Sequence, residues 1–162
     1  MEDLLRAAQQ GDALAMSMLL AELQPRVGRI CGAIALGDAE DAAQEAMVAI
    51  FRHLRDLREP GALHSWVRAI ATREAVRVAR RRTAGAVAEL PEQVPSRADA
   101  ERVADIRDLL GRLQPEQRAV LVLRDVEGLE ETEAAALLGV PLGTVKSRLH
   151  RARRAFRREW AR

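Results

Sequence analysis

Helical periodicity runs through almost the whole chain, and almost nothing in it reads as a strand. Apolar residues recur every three or four positions: Leu4, Leu5 and Ala8, then Met16, Leu19, Leu20 and Leu23, then Ala43, Met47, Ile50, Phe51 and Leu54. The spacing returns at Leu63, Trp66, Ile70 and Ala71, and again at Val103, Ile106, Leu109, Leu110 and Leu113. A helix with one apolar stripe must bury it against another such stripe, so the chain is constrained to packed helices. Phe51, Trp66, Phe156 and Trp160 are its only aromatic residues, so its cores are aliphatic and alanine-rich.

The helix breakers are few and well placed. Gly11 ends a first short helix, and Asp12 caps a second that runs to about Leu36, with Pro25 as a kink or restart inside it. Gly37-Asp38 stops that helix. A third is expected over 39–57, with Phe51 among its inward residues, and a fourth over 63–82 after the break at Glu59-Pro60-Gly61. Residues 83–100, TAGAVAELPEQVPSRADA, carry two prolines and no sustained period, and read as a linker. Beyond it Pro115 opens a helix, Gly128 stops it, a short helix covers 130–138, and a long one starts near Leu142. The expected fold is all-α: two small helical domains, 1–83 and 103–162, joined by a flexible linker over 84–102.

Composition excludes several classes. Cys31 is the only cysteine, and His53, His64 and His150 lack cysteine company at ligand spacing, so neither a disulfide nor a metal site is expected. No nucleophile–base set or phosphate loop points to an enzyme, and no cofactor is implied. No apolar run approaches the roughly 18 residues of a membrane span. The start, MEDLLRAAQQGD, is acidic and amphipathic, unlike a secretory signal, which gives the expectation of a cytoplasmic protein.

Net charge is only +2, yet it is unevenly spread. Residues 144–162 carry Lys146, Arg148, Arg151, Arg153, Arg154, Arg157, Arg158 and Arg162 against Glu159 alone, and a second basic run covers Arg77 and Arg80 to Arg82. Two concentrated basic patches in a near-neutral chain suggest two nucleic-acid contacts. The segment GVPLGTVKSRLHRARRAF, from Gly139, joins a turn to a helix with two different faces. Val145, Leu149, Ala152 and Phe156 would face a core, while Ser147, His150, Arg151, Arg154 and Arg158 form a basic stripe. Preceded by LEETEAAALLGV and a glycine turn, it resembles the recognition helix of a helix-turn-helix DNA reader.

A longer stretch is more specific. LQPEQRAVLVLRDVEGLEETEAAALLGVPLGTVKSRLHRARRAF resembles region 4 of the extracytoplasmic-function sigma factors of bacterial RNA polymerase. DAEDAAQEAMVAIFRHL, from Asp38, resembles their region 2.2, and LHSWVRAIATREAVRVARRR, from Leu63, their regions 2.3 and 2.4. The resemblance covers nearly the whole chain. It implies core RNA polymerase as a partner, through the β′ coiled coil and the β flap, together with promoter DNA and an anti-sigma factor. It implies that Ser147, His150 and Arg151 face bases of the −35 element. Thr144, Lys146, Arg148, Arg153 and Arg154, with Arg124 from an earlier helix, would then take phosphates. It places His64, Trp66, Arg73, Arg77, Arg80 and Arg81 at the −10 element, and Asp41, Gln44 and Glu45 on the polymerase. Trp66 also has the spacing of a core anchor.

The sequence departs from the family at Arg73, where asparagine is common, at Arg68, where an aromatic residue often follows Trp66, and at Glu130-Glu131, where a Ser-Tyr type pair is common. These departures bear on promoter preference and not on the resemblance itself. The rival readings are a stand-alone helix-turn-helix regulator and a sigma mimic that sequesters an anti-sigma factor. The intact basic array from Lys146 to Arg158 disfavours the mimic.

Overall fold

A computed structural model describes the backbone of residues 1–83 and 97–160, and side chains over 1–81 and 104–158. Eight α-helices are present among them: α1 Glu2–Gln9, α2 Ala13–Ala35, α3 Ala39–His53, α4 Leu63–Thr83, α5 Arg97–Gly111, α6 Pro115–Leu121, α7 Glu131–Leu138 and α8 Leu142–Trp160. A π-helical turn, Val122–Val126, prolongs α6. The expected linker lies outside the described residues up to 96, and helix has already begun at Arg97, earlier than the apolar pattern restarts.

Local chemistry sets most boundaries. The Asp12 carboxylate accepts from the backbone N–H of Leu14 and Ala15 at 2.9 and 3.0 Å and opens α2. Pro25 does not restart that helix; α2 is continuous through it. Pro25 and Ala21, whose carbonyl loses its donor, both face solvent, while Leu19, Leu23, Val27, Ile30 and Ile34 stay buried on the other side. At its far end α2 turns sharply through Leu36, the one described residue other than glycine with positive φ, at 54°.

α1 to α4 enclose a first core of Leu5, Leu19, Leu23, Val27, Ile30, Ile50, Leu54, Leu63 and Val67. Trp66 is half-buried against it. Phe51, expected to point inward, is instead 54% exposed. Ala42, Ala46 and Ile50 define the buried side of α3, and Phe51 stands about 100° further round from Ile50. A second core gathers Val120, Leu123, Leu129, Ala134, Ala135, Val145 and Leu149 from α6, the π turn, the segment after it, α7 and α8.

The two halves are not beads on a string. α6 and its π turn serve both cores: Val120 and Leu123 lie in the second, while Ala119 and Val122 are buried in the first. Beside them Arg118 is buried, and its guanidinium donates to the carbonyls of Ile34 at 2.6 Å, Leu113 at 2.7 Å and Leu110 at 3.1 Å. Burial lowers its pKa from the ordinary arginine value, with Glu116 opposing that shift. Glu127, just past the π turn, lies between Arg26 of α2 at 2.7 Å and Arg68 of α4 at 3.0 Å. Glu116 at the start of α6 pairs with Arg80 of α4.

Two outcomes follow from this seam. Arg118→Ala removes the side-chain donor of three carbonyls, of which Leu110 keeps the Leu113 N–H at 3.0 Å, and should lower stability to urea by about 3 kcal/mol, read from the unfolding midpoint. Burial alone would raise the Glu127 pKa, but the hydrogen bonds and charges of Arg26 and Arg68 outweigh it and hold the carboxyl below the ordinary value. A depressed carboxyl stabilises the folded chain above its unfolded pKa and loses that contribution as pH falls through the folded pKa. The stability difference between wild type and Glu127→Gln should therefore be largest near neutrality and shrink on acidification, measured by urea titrations at stepped pH.

Candidate nucleic-acid interface

The helix-turn-helix is built by short-range bonds. Glu130 and Glu133 form a reciprocal capping box at the start of α7, the Glu133 carboxylate accepting from the Glu130 backbone N–H at 2.7 Å. Gly139 ends α7 with φ 64° and ψ 35°, a left-handed conformation that glycine adopts without a Cβ penalty. The Val140 N–H returns to the Ala135 carbonyl at 3.1 Å, and α8 then starts with Thr144 and Val145 bonding back to Pro141. Val145, Leu149 and Ala152 bury one side of α8, which fixes the outward side.

On that outward side Lys146, His150, Arg151, Arg153 and Arg154 are exposed, and Thr144, Ser147 and Arg148 are half-buried. The Ser147 hydroxyl donates to the Thr144 carbonyl at 3.0 Å, and the Arg151 guanidinium donates to the Ser147 oxygen at 3.4 Å. Ser147, His150, Arg151 and Arg154 thus share one stripe, as their spacing predicts. Arg153 is committed elsewhere: it pairs with Asp125 of the π turn at 2.5 Å, which raises its pKa. Arg124 is held inward, donating to the Leu129 carbonyl and lying 3.8 Å from Glu130. Its geometry is that of a brace between the π turn and α7. Arg148 turns away from the stripe toward α4.

The α4 set divides in the same way. His64 and Arg73 are exposed, the latter donating to the Ala69 carbonyl at 3.2 Å. Arg77 donates to Glu74 of its own helix and to Glu45 of α3, and those hydrogen bonds raise its pKa. Arg81 is 3.1 Å from the same Glu45, and Arg80 is taken by Glu116. Arg73, Arg77 and Arg80 therefore line one side of a cleft of about 370 Å³, with Arg148 on the other and Val76 and Leu138 also in its wall.

On α3, Asp41 and Gln44 are exposed, but Glu45 leans into the arginines of α4. The expected polymerase and −10 sets thus meet at this one carboxylate. Sequence reasoning missed the exposed Val48 and Phe51, which continue the Asp41/Gln44 ridge as an apolar strip. Their exposure shows only when the angle around the helix is set by Ala42, Ala46 and Ile50. Among the described residues there is no cluster of three or more His, Cys, Asp or Glu that could hold a metal, and no helix long and apolar enough to cross a membrane.

Comparison with known proteins identifies the family. Residues 19–85 match the family described as Sigma-70 region 2, and residues 104–156 match Sigma-70, region 4. The chain is 39% identical over 131 residues to the ECF RNA polymerase sigma factor SigE of Mycolicibacterium smegmatis, covering 74% of this chain but 51% of that relative, about half its length. It is 33% identical to the ECF RNA polymerase sigma factor SigM of Mycobacterium tuberculosis, covering 93% of this chain and 80% of that protein. Among solved structures it resembles the sigma factor RpoE of Bartonella quintana, in a complex with the anti-sigma factor NepR, with a TM-score of 0.73 and 22% identity over 90% of this chain and 96% of that one. By sequence over nearly its full length and by helical architecture, the chain belongs to the ECF sigma factors of the sigma-70 family.

Proposed function

We propose that the chain binds core RNA polymerase, directs it to a set of promoters and helps open the DNA there. The observation that carries this reading is the pairing of two different exposed surfaces on one chain. α8 presents a basic stripe of Lys146, His150, Arg151 and Arg154 from a helix-turn-helix, and α3 presents Asp41, Gln44, Val48 and Phe51. A stand-alone DNA reader has no use for the second. Asp41 suits a basic partner helix and Val48 with Phe51 supply apolar area at its centre, which fits the β′ coiled coil of the polymerase.

On the DNA side, Arg151 can donate twice to a guanine edge, while Lys146 and Arg154 take phosphates. Arg73, Arg77, Arg80 and Arg81 track the backbone at the −10 element, where opening begins. The covalent chemistry of transcription stays with the polymerase, and the chain itself is not an enzyme. Its place is the cytoplasm, with the polymerase. An anti-sigma factor is a further partner, supported by the likeness to a sigma factor solved with one.

In vitro transcription with purified core polymerase and a genomic promoter pool tests the reading; no promoter-specific transcript and no complex with core would refute it. Arg151→Ala should cost about 1–3 kcal/mol of discrimination at one base of the upstream element while core binding is unchanged, measured by competition between promoter variants. Lys146→Ala should weaken binding to all sequences alike and reduce the salt slope of log K by about one, measured by anisotropy across a salt series.

A further inference from the structure

The arginines on the outward side of α8 differ in what holds them. Arg153 is tied to Asp125, while Arg151 and Arg154 stand exposed on the stripe. Among the described residues the Arg151 guanidinium has a single side-chain partner, the hydroxyl oxygen of Ser147 at 3.4 Å. The two residues are one turn apart. Helical side chains lean back toward the N-terminus, so Arg151 lies over Ser147, which is half-buried beneath it.

A serine hydroxyl has one proton to give and two lone pairs to offer. The Ser147 proton is already spent, because the hydroxyl donates to the Thr144 carbonyl at 3.0 Å. What remains is an acceptor. The major-groove edge of guanine also presents acceptors, O6 and N7, and two acceptors do not bond each other. Ser147 held in this way therefore has nothing to offer that edge. The guanidinium is the complementary group, a planar fork that only donates. One N–H of Arg151 Nη2 goes to Ser147. Nη2 keeps a second N–H, and Nη1 and Nε keep theirs, so a guanine receives two bonds without the Ser147 bond being given up.

An exposed arginine is rich in rotamers, and ordering it on the DNA opposes binding. A partner on its own helix that gathers the guanidinium beforehand lowers that cost, and only for the rotamer that lies along the stripe. At 3.4 Å the bond is at the long end, so it biases the rotamer without locking it.

We propose that Ser147 is a positioning residue: oriented by the Thr144 carbonyl, its oxygen aims the Arg151 guanidinium at a base edge, and it reads no base of its own. Two side chains of α8 then serve a single base pair. The role at the base rests on the promoter-binding reading above; the relay within the free chain does not.

Holoenzyme assembled from core polymerase and the full chain is offered competing promoters in which each upstream base pair is replaced in turn. Arg151→Ala identifies the base pair that Arg151 reads, by the loss of preference there. Ser147→Ala should reduce preference at that same base pair about fivefold, and at no other. Threonine and valine share a shape and differ in the hydroxyl, so Ser147→Thr should keep the preference within about twofold while Ser147→Val loses it as alanine does. In the Arg151→Ala background Ser147→Val should change nothing further. A serine with only a structural part would lower binding to every promoter alike and leave the preference in place.

The positioning role is overturned if Ser147→Ala keeps full preference, if its loss falls on a different base pair or adds to that of Arg151→Ala, or if threonine does no better than valine. If the wild-type holoenzyme shows no upstream preference at all, the promoter-binding reading fails instead. The relay is then decided in the free chain by the order of the Arg151 Nε–H, read from nitrogen relaxation. Ser147→Val should lower that order and Ser147→Thr preserve it, and equal order in the two overturns the relay.

Discussion

The guanidinium of Arg118 is the point on which the rest of the packing depends. A charged group this deeply buried is sustained only when its donors are answered, and here the carbonyls of Ile34, Leu110 and Leu113 answer it. These carbonyls lie at the C-terminal ends of α2 and α5, where helix carbonyls lack intrahelical partners and the local dipole favours a cation. The positive-φ residue Leu36 lies two positions beyond Ile34. With Arg118 anchored, α6 lies flat on the first core, Ala119 and Val122 are buried there, and the π turn that follows brings Glu127 between Arg26 and Arg68.

The same logic governs charge across the molecule. The chain is almost neutral, yet its basic residues are not neutralised evenly. Glu45, Glu74, Glu116, Glu127 and Asp125 are folded onto Arg77, Arg81, Arg80, Arg26, Arg68 and Arg153. Lys146, His150, Arg151 and Arg154 stand on an exposed stripe. The surface field is therefore concentrated on α8, while Arg68, Arg77, Arg80 and Arg81 of α4 are paired with carboxylates.

Helix identities were legible in the sequence because they depend on neighbours. Asp12 as a cap, Gly139 as a left-handed stop, Pro115 as a first-turn residue and the buried stripe Val145/Leu149/Ala152 are all decided within a few positions. The outward stripe of α8 was legible for the same reason. Phe51 was misplaced because an apolar residue at the edge of a stripe is read as part of it, and only packing against α2 and α4 shows which side of α3 is inside. Pro25 is accommodated inside α2 because it lies on the solvent-facing side, which the rule against interior proline takes no account of. The fates of Arg124, Arg153 and Glu45 turn on partners brought together by the fold, and Arg118, Glu127 and Glu116 find theirs 84, 101 and 36 residues away. No local pattern carries that information.

The double membership of α6 bears on how freely such chains trade parts. A sigma factor looks modular, with one half for each promoter element, and grafting the reading half of one member onto another would seem a simple way to redirect it. In this chain the graft junction lies in the packing between the halves. Ala119, Val122, Arg118 and Glu127 are fitted to a particular helix end and a particular pair of arginines. A transplanted reading half would have to bring along residues 26, 34–36 and 68 of its donor, or lose the contacts of the seam. Inheritance of the seam then decides which hybrids keep the packing between their halves.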